Sequence, residues 1–190
     1  ELESTERRFE DRWRELVKKV RARFGGEIVY CANWDDVDAL PWWDAVDSIG
    51  VQFYPPLTEG SAVDEAGIRG RLEAAMTGLK RVSERTERPV LFSEVGYRSA
   101  KGSLAEPHQW PERVDNAEAD QDVQARAYRL FVEAVRSQRW VRGIYWWKWF
   151  TDPKTAEEGP TGFSPRGKSA EAVLRSAYGG NCDPAPSALD

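Results

Sequence analysis

Apolar residues along the chain switch between helical and strand spacing. Phe9, Trp13, Leu16, Val17, Val20 and Phe24 recur at helical intervals with charges between them, predicting a helix over 2–24 that Gly25–Gly26 ends. Glu27–Asn33 (EIVYCAN) is then a short run of strand formers, and a short helix is expected at about 36–45. Asp47–Tyr54 (DSIGVQFY) reads as a second strand, stopped by Pro55–Pro56. Ile68, Leu72, Ala75, Met76, Leu79 and Val82 mark a helix over about 63–86, and Pro89–Ser93 (PVLFS) is a third strand leading into Glu94. Residues 97–117 are polar and read as a long loop. Ala127, Leu130, Phe131, Ala134 and Val135 share one face of a helix at about 118–138. Gly143–Phe150 (GIYWWKWF) is a fourth strand, followed by a loop at 151–166 and a last helix near 167–177. The tail 179–190, which contains Pro184 and Pro186, is expected to be disordered, leaving 1–178 as one domain.

A helix followed by four strand–helix units, with apolar strands and no hairpin signals, predicts an α/β chain with a parallel sheet. No Gly-rich phosphate turn follows a strand, which argues against a doubly wound nucleotide-binding sheet. The unusual polar and aromatic residues gather instead at strand ends: Asn33–Trp34, Tyr54, Glu94 and Trp147–Trp149. That is where a β/α barrel carries its chemistry. A closed barrel needs eight strands, and this chain supplies four. The expected fold is therefore the (β/α)8 TIM-barrel type, present as a C-terminal half barrel.

Composition narrows the function. The net charge of −5, with both signs interleaved, argues against a nucleic-acid partner. No apolar run is long enough to span a bilayer, so no membrane role is expected. The charged opening segment Glu1–Arg23 does not read as a signal peptide, and compartment stays open. Cys31 and Cys182 suggest neither a disulfide framework nor a metal site, and Cys31 in its apolar run is expected to be buried. The single histidine, His108, excludes multi-histidine metal sites and reads as solvent-exposed. Tryptophan is the anomaly: there are 9, with Trp42–Trp43 adjacent and Trp146, Trp147 and Trp149 clustered. Indole rings stack on the C–H faces of sugars, so this points towards a glycan ligand.

Glu94, directly after an apolar strand, would project a carboxylate from a rigid element. Retaining glycoside hydrolysis needs two carboxyl groups about 5 Å apart, one as nucleophile and one as acid/base. Tyr54 is placed to hydrogen-bond such a nucleophile, and Trp147 is the first choice for a platform beneath the sugar. Asn33 and Trp34 either line the site or cap the following helix and pack beneath it. Lys148 reaches substrate hydroxyls or points away, and Arg98 has a weaker claim to the substrate. The pair Glu157–Glu158 reads as solvated loop charge, and Trp110 as a lid contact that nothing in the sequence fixes.

Val90–Tyr97, Ala32–Asp35 (ANWD), Ile49–Pro55 (IGVQFYP) and Gly143–Phe150 together resemble the clan A glycoside hydrolases, most closely the family 113 β-mannanases. The resemblance implies that Glu94, ending the seventh strand, is the nucleophile and that Tyr54, after the sixth, contacts it. It implies a tryptophan on the eighth strand as substrate floor, matching Trp147, with Trp146 and Trp149 as rivals. The acid/base glutamate of the clan ends the fourth strand, which aligns it with Glu1 in Glu1-Leu2-Glu3-Ser4, Glu3 being the weaker candidate. The implied activity is retaining cleavage of a β-linked polysaccharide, possible on β-mannan, without cofactor or metal. The competing expectation is a non-catalytic carbohydrate-binding remnant. A half barrel would also expose sheet edges, making the missing N-terminal half or a second copy an expected partner.

Overall fold

The structure, a computed structural model, describes residues 7–60, 64–110, 116–152 and 158–179. Glu1, Glu3, Glu157, Cys182 and the tail from residue 180 lie outside the described residues. Four strands, β1 (Val29–Asn33), β2 (Ser48–Phe53), β3 (Val90–Val95) and β4 (Val141–Trp146), form one parallel sheet in the order β1-β2-β3-β4. The principal helices are α1 (Glu10–Arg21), α2 (Glu65–Thr86), α3 (Gln121–Val135) and α4 (Ser169–Ala177). Sequential strands pair as neighbours across helical crossovers, the arrangement that parallel pairing requires.

Local chemistry sets the boundaries. Asp64 caps α2 by accepting from the backbone N–H groups of Ala66 and Gly67, and Asp120 caps α3 by accepting from Val123 N–H. The helix expected at 36–45 is instead two 3-10 turns, Val37–Ala39 and Trp43–Ala45. Pro41 separates them: it lacks an N–H, and Leu40 before it is extended (φ −79°, ψ 124°), as a residue preceding proline prefers. The fourth strand begins and ends earlier than its apolar run, stopping at Trp146.

One face of the sheet is packed by helices. Ile49, Val51 and Phe53 of β2 and Val90, Phe92 and Val95 of β3 are fully buried there, with Ile68, Leu72 and Met76 of α2 and Leu130 and Phe131 of α3. Phe53, Phe92 and Phe131 form a triangle of rings with centroids 5.1, 5.2 and 5.6 Å apart, at tilted and edge-to-face angles that suit aromatic quadrupoles. At the β1 end, Trp13 stacks on Trp42 at 5.8 Å and meets Tyr30 edge-on at 5.0 Å, tying α1 to the sheet. The apolar stripe of α1 is divided. Trp13 and Val17 pack inward, while Leu16, Val20 and Phe24 are exposed.

The opposite face behaves differently. Cys31 is exposed rather than buried, and Tyr145 is 65% exposed. Both sit on the face that no described helix covers, which is why an apolar run did not translate into burial for Cys31. Near the start of the strands, Glu27 accepts from Ser48 Oγ (2.6 Å) and pairs with Arg142, linking β1, β2 and β4 on that side.

The aromatic triangle carries much of the core. Phe92→Ala is expected to lower stability by about 3–5 kcal/mol, measured by denaturant unfolding, because both ring partners would then border a cavity.

Candidate active site

Strand alternation alone would turn Glu94 the wrong way. Phe92 faces the helices, so two residues later the side chain should face them too. The ladder shows what intervenes: Val51 pairs with Phe92, but the next residue, Gln52, pairs with Glu94. Ser93 is therefore an extra residue in β3, and the β3–β4 ladder shifts across the same stretch. This β-bulge puts Glu94 opposite Gln52, while Val95 returns to the core.

Glu94 is held by both oxygens. Gln52 Nε2 donates to Oε1 at 2.8 Å, and Tyr54 OH donates to Oε2 at 3.2 Å. Gln52 and Tyr54 lie two residues apart at the end of β2, so alternation aims both side chains to one side. The Gln52 carbonyl accepts from Trp34 N–H at 3.0 Å, continuing the β1–β2 pairing past Asn33. Burial raises the pKa of the Tyr54 phenol well above the ordinary tyrosine value, and the adjacent Glu94 charge pushes it the same way. The phenol therefore stays a donor at neutral pH.

Trp147 reaches the site by a close backbone fit. Its N–H donates to Val95 O at 2.8 Å, and its carbonyl runs past Gly96 so tightly that a Cβ there would lie 1.7 Å from the oxygen. Gly96 is required for that approach, and the Trp147–Lys148 peptide that follows is cis. Trp147 meets Trp110 edge-to-face at 6.0 Å, Trp110 meets Phe163 at 6.5 Å, and Phe163 meets Tyr54 at 6.4 Å. These four rings form a chain linking the tip of β2 to the tip of β4.

Behind the rings lies a polar support. Glu158, read from sequence as solvated loop charge, is only 8% exposed; its carboxylate accepts from Phe163 N–H at 2.9 Å and pairs with Lys148 Nζ at 2.7 Å. Lys168 Nζ donates to Ser99 Oγ and the Gly162 carbonyl, and Gln124 donates to the carbonyls of Tyr97 and Phe163. Arg98 is buried among them. Burial lowers the pKa of both Arg98 and Lys168, and the Glu158 charge opposes the shift.

Of the residues singled out from sequence, the structure brings Glu94 and Tyr54 together, connects Trp147 to Tyr54 through Trp110 and Phe163, and sets Asn33 opposite Gln52 in register. Trp34 packs, partly buried, against the core. Trp146 faces the helix layer, stacked on Tyr128 at 4.8 Å with its indole N–H donating to Tyr178. Trp149 is 45% exposed and joins no ring pair among the described residues. His108 is exposed in its loop. Sequence reasoning passed over Gln52, Phe163 and Gly96. Gln52 carried a readable signal, a polar residue two positions before Tyr54 in an otherwise apolar strand.

A parallel sheet that carries a doubly anchored carboxylate at its strand tips has the architecture of half a β/α barrel. The profile of Glycoside Hydrolase Family 113 matches residues 1–168, and the chain belongs to that family. Among solved structures it is similar to a GH113 β-1,4-mannanase (TM-score 0.75, 25% identity, covering 90% of this chain and 52% of that one). It is also similar to the GH113 β-mannanase AaManA from Alicyclobacillus acidocaldarius (TM-score 0.71, 28% identity, 88% and 50%). A β-D-glucuronidase of Dictyoglomus thermophilum shares the fold at 18% identity (TM-score 0.63, covering 94% of this chain and 30% of that one). No curated protein matches the chain. The chain spans about half the length of the mannanases it resembles, and its four strands are half of a TIM-type barrel.

Two outcomes follow from this geometry. Gly96→Ala is expected to cost on the order of 3 kcal/mol in thermal or denaturant unfolding, since the clash is with backbone rather than a flexible side chain. Burial also raises the pKa of Tyr97 and Tyr128. With Tyr54, they contribute stability that is complete below about pH 10, where unfolded tyrosine ionises, and is lost as pH rises towards their folded values. In an alkaline titration, phenolate absorbance from these three should appear together with loss of near-ultraviolet circular dichroism in the wild type, and that component should vanish in the triple Tyr→Phe variant.

Proposed function

We propose that Glu94 is the nucleophile of a retaining glycosidase acting on a β-linked, mannose-containing polysaccharide. The observation that carries this is the two-point anchoring of a strand-tip carboxylate. With one donor on each oxygen, Glu94 is held in one orientation, as a group attacking an anomeric carbon must be. Trp147 serves as the platform on which the sugar stacks, and Asn33 borders the same opening. Mannan as substrate is supported by the family and by the mannanases among its structural relatives.

Glu1 is the proposed acid/base, with Glu3 the weaker candidate, protonating the leaving oxygen and then activating water. The uncovered sheet face bearing Tyr145 supports a proposed association with a complementary half barrel or a second copy.

The nucleophile is testable without the acid/base. A 2-deoxy-2-fluoro-β-mannoside with a dinitrophenolate leaving group needs no protonation to depart, so attack by Glu94 alone would leave a stable glycosyl ester. The expected result is a mass increase on the peptide containing Glu94, absent in Glu94→Gln. A folded chain that binds manno-oligosaccharides yet gains no label would favour the non-catalytic binding remnant, and labelling at another carboxylate would overturn the assignment.

A further inference from the structure

Lysine usually extends its flexible stem so that the ammonium reaches water. Lys148 does the reverse. Its Nζ lies 5.2 Å from the ring centroid of Trp110, 5.5 Å from that of Trp147 and 4.8 Å from that of Phe150, and its side chain is 25% exposed. The buried Glu158 carboxylate holds it there at 2.7 Å. An ammonium has three donors. Glu158 Oε1 meets it as an ion pair, and among the described residues no oxygen accepts a hydrogen bond from Nζ. A cation is thus fixed at the rim of the aromatic cluster, with hydrogen-bonding capacity left over and its charge balanced from behind.

We propose that Lys148 is a specificity-determining residue that donates to hydroxyl groups of the sugar seated on Trp147, and that Glu158 is its positioning residue. This rests on the glycan reading above and deepens it. A sugar lying on an indole projects its equatorial hydroxyls past the ring, and Lys148 Nζ, 5.5 Å from the Trp147 centroid, lies close enough to that ring to meet them. Glu158 is the direct counter-ion of the ammonium at 2.7 Å, while its charge also acts on the buried Arg98 and Lys168, so among the described residues it is the carboxylate that offsets positive charge behind the sugar. The site therefore selects a neutral hexose over the corresponding uronate. Without Glu158 the same lysine would attract a carboxylate.

β-1,4-Manno-oligosaccharides and β-1,4-mannuronate oligosaccharides of equal length differ only in the oxidation of C6, which makes them a matched probe pair. Binding of each is measured by calorimetry on the full chain, with circular dichroism and thermal unfolding as folding controls. Wild type should bind the neutral oligosaccharide and discriminate against the uronate. Lys148→Met should weaken neutral binding about tenfold or more, as loss of charge-assisted hydrogen bonds implies, while Lys148→Arg retains part of it. Glu158→Gln should raise the uronate-to-neutral affinity ratio at least tenfold, a readout that a purely structural role would leave unchanged and that does not depend on Lys148→Met folding. Full neutral affinity in folded Lys148→Met, or an unaltered ratio in Glu158→Gln, overturns the proposal alone. Wild type binding neither sugar removes the glycan reading, and this inference with it.

Discussion

The site depends on a single inserted residue. Ser93 adds one position to β3, and without it Glu94 would be driven into the ring triangle of Phe53, Phe92 and Phe131. Burying an unpaired carboxylate among those rings would be very costly, whereas on the other face it meets two donors already aligned by β2. The bulge thus satisfies two demands. The core keeps Phe92 and Val95 on one side, and the chemistry keeps Glu94 on the other.

Around that carboxylate the support is layered by element. β2 supplies both donors from residues two apart, and β1 steadies β2 through the Trp34–Gln52 backbone bond. β4 contributes Trp147 through a backbone contact that only glycine at position 96 permits. Glu158 and its neighbours anchor the turn that carries Phe163, so the aromatic chain rests on a buried polar frame. Each layer is rigid for a different reason: a strand ladder, a steric fit, an ion pair.

The order of elements was legible because the apolar spacing is strong. Each strand overlaps its apolar run, the last one displaced to Val141–Trp146, and the long helices follow the helical spacing with shorter ends. What escaped has identifiable causes. Alternation cannot reveal a bulge, so nothing in PVLFSE announces which face Glu94 takes. Trp146 and Trp147 are equally aromatic, and only the register with β3 sends one to the helices and the other to the tips. Cys31 followed the rule that apolar runs are buried, a rule that assumes both sheet faces are covered. Glu158 looked like loop charge because its partner, Lys148, is ten positions away.

The two groups anchoring Glu94 both come from β2, whereas the residues proposed to meet the sugar come from the last strand and the turns beyond it. The proposed roles in reactivity and in ligand choice thus fall on separate stretches of chain. On the proposed assignment, substitutions after position 146 would retune which glycan is accepted while leaving the two donors that hold Glu94 in place.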